Sequence, residues 1–184
     1  MELPLFRFRP YRTDDAEALA ALANEPRIAQ GLRDGFPNPY TLSDAQDFLA
    51  GIGVPNPKTQ QVIEIEGRFA GGICVLPKEG VYDQSIEFGY WLGLPYWGRG
   101  LGTAIARAYV TEVFKALPVA RVYANVYSDN AASRRLLEKL GFRLEGILRK
   151  AIRKDGVLKD DCIYAVLREE WEGLLEEGLN PPSG

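Results

Sequence analysis

At 184 residues, 46 % hydrophobic and 26 % charged, the chain is long enough for one domain with a buried core. Its net charge of −3 offers no basic face for nucleic acid, and the lack of any histidine removes Ser-His and Cys-His catalysis and most zinc sites. No secretory leader is read at Met1–Pro10 and no apolar run nears the ~20 residues of a membrane span, so a cytoplasmic protein with no membrane partner is expected.

Leu5–Arg9 alternates apolar and basic residues up to Pro10 and predicts a short strand. Thr13, with Asp14, Asp15 and Glu17 behind it, reads as a helix start, and Leu19, Leu22 and Ala23 supply its apolar stripe. Asn24–Pro39, rich in Pro, Gly and Asn, reads as an irregular loop, followed by a second helix from Ser43 through Ala50. Gln60–Glu66 and Arg68–Leu76, joined at Gly67, predict a hairpin, and Ser85–Leu92 a further strand. Leu101–Leu117 has helical spacing that Pro118 stops. Arg121–Tyr127 follows as a strand, and Asn130–Leu140 as a helix capped by Asp129 or Asn130 and ended by Gly141. Two long strands, Phe142–Arg153 and Lys159–Leu167, are joined by the turn Lys154–Asp155–Gly156, and Arg168–Glu177 is a last helix. Seven strands in that order give an α+β fold, a mixed, mostly antiparallel sheet with one strand–helix–strand crossover. A single domain over 1–178 with a flexible tail at 179–184 is expected.

Cys74 and Cys162 lie far apart in apolar runs, so buried thiols are expected rather than a disulfide or a metal site, and no metal is assigned. Without histidine, a general base must be a carboxylate, a tyrosine, a lysine or backbone-held water.

Three stretches can carry chemistry. The first is YWGRGLGTA, Tyr96–Ala104, which puts three glycines between a strand and a helix start. Such a turn gathers unpaired N–H groups, here those of Arg99, Gly100, Leu101, Gly102 and Thr103, where a phosphate can approach closely. A purely structural turn is the competing reading. A nucleotide-triphosphate loop would end in Lys-Ser/Thr, and a Rossmann domain would open with Gly-x-Gly-x-x-Gly; neither pattern is present.

The second is the preceding strand SIEFGYW, in which Glu87 shares a face with Gly89 and Trp91. Glu87 reads either as an ion-paired strand residue or as a general base with its pKa raised by partial desolvation. The third is RVYANVY followed by DNAASRRLLEKLGF. It sets Asn125 on a strand, and Asn130 and Ser133 in the first turn of a helix, where helix capping alone would also explain the latter two.

Together, SIEFGYWL, YWGRGLGTA and NVYSDNAASRRLLEKLGFRLEG resemble the GNAT superfamily of acetyl-CoA-dependent N-acetyltransferases, and most of all its RimJ/RimL-type branch, which acetylates N-termini of ribosomal proteins. The resemblance runs from LFRFRPYRTDDAEAL to DCIYAVLREEW. It implies a seven-stranded sheet with helices on both faces and strands splayed at the acetyl-CoA site. Arg99–Thr103 would hold the CoA pyrophosphate. The strand at Trp91–Gly93 would pair with the pantetheine arm, and an N–H near Leu92 would face the thioester oxygen. Asn125 and Asn130 would contact the amides or thiol end, and Ser133 would protonate the leaving thiolate. Trp97 stands where many members of the superfamily have Gln or Arg, so that polar contact is lost and Arg99 is the substitute.

The implied reaction is direct transfer from acetyl-CoA, as co-substrate, to a primary amine, with Glu87 as base through a water. The amine would enter between Asn24–Pro39 and the Arg149–Asp160 hairpin. Asp160 or Asp161 would recognise a cationic amine or would simply be solvated. A protein N-terminus and a small amine both remain open as acceptors, and a homodimer is an implied assembly. A GNAT-like domain that binds acyl-CoA without turnover is the alternative of another class.

Overall fold

The computed structural model describes residues 4–52 and 59–178; the expected tail at 179–184 lies outside them. Seven strands, β1 (Phe6–Arg9), β2 (Gln60–Ile65), β3 (Arg68–Pro77), β4 (Ser85–Leu92), β5 (Arg121–Tyr127), β6 (Arg143–Lys154) and β7 (Val157–Leu167), form one sheet in the order β1-β2-β3-β4-β5-β7-β6. Among the described residues six α-helices accompany them: α1 (Ala16–Ala23), α2 (Pro26–Ala29), α3 (Leu42–Asp47), α4 (Leu101–Ala116), α5 (Ala131–Lys139) and α6 (Arg168–Glu176). The chain divides into two compact units. One holds the residues up to Val75 with Gly89–Gly102, the other Leu76–Phe88 and the residues from Thr103 onward.

In the first unit β1–β2 and β2–β3 pair antiparallel. The β2–β3 turn places Glu66 at φ 50° and Gly67 at φ 76°, the left-handed pair that a two-residue hairpin loop demands. Leu19, Ala23, Tyr40, Ala45, Val62 and Phe69 form the core, with Phe36, Phe48 and Trp91 packed against it. α3 starts immediately after its cap, Thr41, whose hydroxyl accepts from Asp44 N (3.2 Å) while the Asp44 carboxylate accepts from Thr41 N (2.7 Å). The expected second helix ends early at Asp47 and passes into a wider turn, Phe48–Ile52, in which Gly51 takes φ 102°. The expected irregular loop Asn24–Pro39 contains the short α2, opened by Pro26 with Glu25 as its cap.

In the second unit β4 and β5 pair parallel, while β5–β7 and β6–β7 pair antiparallel. From Thr103 onward α4 buries Ile105, Tyr109, Val110, Val113 and Phe114, a stripe at helical spacing. Its end is closed by Arg168, which donates to the carbonyls of Phe114 (2.7 Å), Leu117 (2.6 Å) and Val119 (3.0 Å). Phe88, Tyr109, Phe142, Trp171 and Phe114 form a run of ring contacts through this core. β7 begins at Val157, two residues before the predicted start, because Asp155 (φ 49°) and Gly156 (φ 79°) make a two-residue turn. Cys74 is half-buried and Cys162 buried, and neither forms a disulfide; burial pushes the Cys162 thiol up.

Candidate active site

β4 ends at Leu92, a short turn follows over Leu94–Tyr96, and α4 begins at Leu101. Between them Gly98 (φ 71°) and Gly100 (φ 74°) both adopt the left-handed conformation, with open space where a Cβ would stand. That backbone is what a glycine supplies at no steric cost. Trp97, Arg99 and Gly100 are exposed, Gly102 and Thr103 half-buried, and Leu101 fully buried. Leu101 thus anchors the helix start in the core while the loop before it stays open. The helix that follows has 16 residues, so its N–H groups and dipole point back at the loop.

Trp97 has a definite job in this loop. Its indole N–H donates to Leu92 O at 2.7 Å, tying the loop back to the last residue of β4. Gly93 N–H donates to Ala70 O at 2.8 Å, so the strand end is held from β3 as well. A Cβ on Gly71 would overlap Trp91 O, which shows how closely β3 and β4 approach here. The Trp91 ring lies among Phe36 and Phe69 at 5.8 and 6.1 Å between centroids, as part of the core.

Glu87 is buried on the paired stretch of β4, directly opposite Tyr123 of β5. Lys78 Nζ stands 3.0 Å from Glu87 Oε2, and the Tyr123 hydroxyl is 3.4 Å from the same oxygen, long for such a bond. The Tyr123 ring has Lys78 Nζ at 5.7 Å and the Arg121 guanidinium at 4.7 Å, and Arg121 is bonded in turn to Glu145. The Tyr123 hydroxyl and then the Glu87 carboxylate hold the Lys78 amine above its ordinary range. Of the two sequence readings of Glu87, the ion pair is therefore present. Lys78 and Tyr123 were not singled out from the sequence; Lys78 lies nine residues before Glu87 in a connecting segment, and no local pattern marks it.

The register of β4 and β5 covers Ser85–Glu87 against Arg121–Tyr123, three residues of strands that are eight and seven long. Further along β5, Asn125 is exposed. Asn130 caps α5: its Oδ1 accepts from Ser133 N at 3.1 Å. Ser133 is half-buried, and among the described residues no hydrogen bond engages its hydroxyl. Arg134 braces the same turn, donating to Ser128 O and to the Tyr164 hydroxyl, each at 3.1 Å, and Tyr164 donates to Glu138 at 2.7 Å.

Asp160 and Asp161 lie inside β7 rather than opening it. One oxygen of the Asp160 carboxylate, Oδ1, accepts from Lys150 N at 2.7 Å, and Asp161 is buried. Among the described residues no group of three metal-ligating side chains occurs, and no helix is long and apolar enough to cross a membrane.

Strand, glycine turn and capped helices in this order define a class, and comparison with known proteins states it directly. The family described as "Acetyltransferase (GNAT) domain" matches residues 6–143. The Bacillus subtilis (strain 168) protein YjcK, named provisionally as an N-acetyltransferase, is 37 % identical over 178 residues, covering 89 % of this chain and 94 % of its own. YdaF from the same organism, named provisionally as a ribosomal N-acetyltransferase, is 32 % identical over 168 residues, covering 86 % and 89 %. Among solved structures, Mycobacterium smegmatis RimJ in complex with CoA-disulfide superposes with a TM-score of 0.81 at 25 % identity, over 95 % of this chain and 90 % of that one. The chain belongs to the GNAT acetyltransferases, as an acetyl-CoA-dependent N-acetyltransferase of RimJ/RimL-like type.

Proposed function

We propose that the chain acetylates the α-amino group of a protein N-terminus by direct attack on acetyl-CoA, with both reactants bound together. The observation that carries this is the open glycine turn: Gly98 and Gly100 at positive φ, unobstructed, running into the anchored start of α4. The N–H groups of Arg99–Thr103 would hold the pyrophosphate there. Arg99, exposed and free of an ion pair among the described residues, would add the charge that Trp97 cannot supply. Trp97 instead fixes the loop through its bond to Leu92. The short β4–β5 register supports the reading in which the rest of β4 is left for the pantetheine arm.

An ammonium has no lone pair, so the amine must lose a proton before it attacks. Glu87, held by Lys78 and Tyr123, takes that proton through a water. A backbone N–H near Leu92 faces the thioester oxygen as negative charge develops on it. Asn125 and Asn130 contact the cofactor's amides or thiol end. Ser133, whose N–H is already satisfied by Asn130, has its hydroxyl available to protonate the departing thiolate. Asp160, one of whose oxygens accepts from Lys150 N, or Asp161 would recognise a cationic amine on this hairpin. The two units act as one acetyltransferase domain, as the family match through both of them supports, and we place the protein in the cytoplasm as a homodimer.

Initial rates with acetyl-CoA and short peptide amines, followed by thiol release, test this. Intersecting double-reciprocal lines are expected. Parallel lines would indicate an acetyl-enzyme and overturn direct attack. CoA binding without thiol release would favour the non-catalytic sensor.

A further inference from the structure

β6 is one of the two edge strands of the sheet, and nine of its twelve residues are exposed. Leu144, Ile147 and Leu148 each keep 44–48 % of their surface in solvent. An outermost strand of that length carries a row of backbone N–H and C=O groups ready to pair with another chain.

Its charge is one-sided. Along RLEGILRKAIRK there are five cations, Arg143, Arg149, Lys150, Arg153 and Lys154, against one carboxylate, Glu145. Arg143 is paired with Glu170 at 2.9 Å, Glu145 is bonded to Arg121, and Lys154 is buried. Among the described residues no carboxylate pairs with the side chains of Arg149, Lys150 or Arg153, and all three are exposed.

The backbone is shaped at the same place. Pairing with β7 jumps from Leu148↔Asp161 to Ile152↔Lys159, so β6 bulges between them. Lys150, at the centre, takes φ 53°, a conformation costly for a side chain of its size, and its N–H is held by the Asp160 carboxylate at 2.7 Å. Bulges of this kind re-aim side chains at sheet edges. Here the residues re-aimed are a basic pair, and Asp160 acts as the positioning residue that holds them.

We infer that the outer edge of β6 docks an acidic, extended polypeptide segment, which adds to the sheet as a further strand with its carboxylates against Arg149, Lys150 and Arg153. Backbone hydrogen bonds would supply affinity and the three cations selectivity, with the exposed leucines and isoleucine contacting alternate apolar side chains. A second copy of this chain fits the edge poorly, because β6 against β6 would set like charges opposite one another. Its purpose rests on the protein-acceptor reading: the docked segment would lie downstream of the N-terminus that is acetylated.

The test uses the full chain and a fluorescein-labelled peptide of alternating glutamate and valine, read by fluorescence anisotropy beside its glutamine counterpart. The glutamate peptide should bind roughly tenfold more tightly, because exposed ion pairs contribute about 0.2–1 kcal/mol each and 1.4 kcal/mol is tenfold. Arg149→Glu with Arg153→Glu should remove that preference without changing the thermal midpoint, and added salt should weaken it. Equal binding of the two peptides, or an undiminished preference in the double variant, would overturn the inference and leave the cations as protection of the edge. Transfer to short peptide amines is measured alongside. Docking without any peptide acetylation would sink the protein-acceptor reading alone, whereas acetylation without docking would sink the docking edge alone.

Discussion

Replacing Gly100 by valine separates the cost of backbone strain from the loss of a binding site. Gly100 sits at φ 74° with open space where the new Cβ would stand, so the side chain meets no neighbour. Left-handed backbone costs an ordinary residue about 1–2 kcal/mol. For a chain of this size that lowers the thermal midpoint by about 2–8 °C. Gly80, at φ 63° and equally open in the turn Gly80–Tyr82, gives the matched control, since Gly80→Val carries the same strain away from the loop. What differs is the ligand. A backbone N–H bonded to a charged phosphate is worth about 1.5–3 kcal/mol, so blocking one should weaken CoA roughly 10- to 150-fold. Isothermal titration of CoA on both variants reads this directly. Acetyl-pantetheine, which lacks the pyrophosphate, should bind Gly100→Val and Gly80→Val alike. Equal CoA affinity in the two variants would remove the glycine turn from the binding site.

Glu87→Gln should lower the transfer rate chiefly near neutral pH while CoA affinity holds, and Lys78→Met, which removes the ion pair but keeps the carboxylate, should cost far less rate. A rate indifferent to Glu87→Gln would hand the proton to backbone-held water. Gly71→Ala should destabilise by about 1–3 kcal/mol in urea unfolding, because its Cβ would overlap Trp91 O; an unchanged midpoint would contradict the close approach of β3 and β4. The hydrogen bond from Arg7 and then that from Arg9 hold the Glu64 carboxyl below the usual carboxylate range. Stability from this cluster is therefore full above the unfolded value of about 4.3 and drains away as pH falls through the lowered one. Glu64→Gln should flatten that acid limb of unfolding, and an identical pH slope in both proteins would refute the assignment.

The elements around the proposed site were readable because local chemistry sets their ends. Ser85–Leu92 and Arg121–Tyr127 have the predicted bounds, since their alternation is clean and flanked by turn residues. Asn130 caps α5 and Gly141 at φ 85° ends it, each by the chemistry its residue type suggests. Contacts between distant segments were not readable. Lys78 reaches Glu87 across a turn, and the Trp97 indole returns to Leu92 only because of how the intervening turn folds. Asp160 reads in the sequence as a recognition carboxylate or a solvated one, and nothing local marks that one of its oxygens also holds a strained bulge on the neighbouring strand. A short polar side chain on a strand can face a ligand or a backbone N–H, and only the register decides which.

The most direct measurement is an acceptor screen with isotope-labelled acetyl-CoA, cell extract and the purified chain, read by mass spectrometry together with thiol release. Label on the α-amino nitrogen of protein N-termini, matched by an equal yield of CoA thiol and lost with Glu87→Gln at neutral pH, is the predicted result. CoA bound but no label on any amine, and no thiol released, would contradict it.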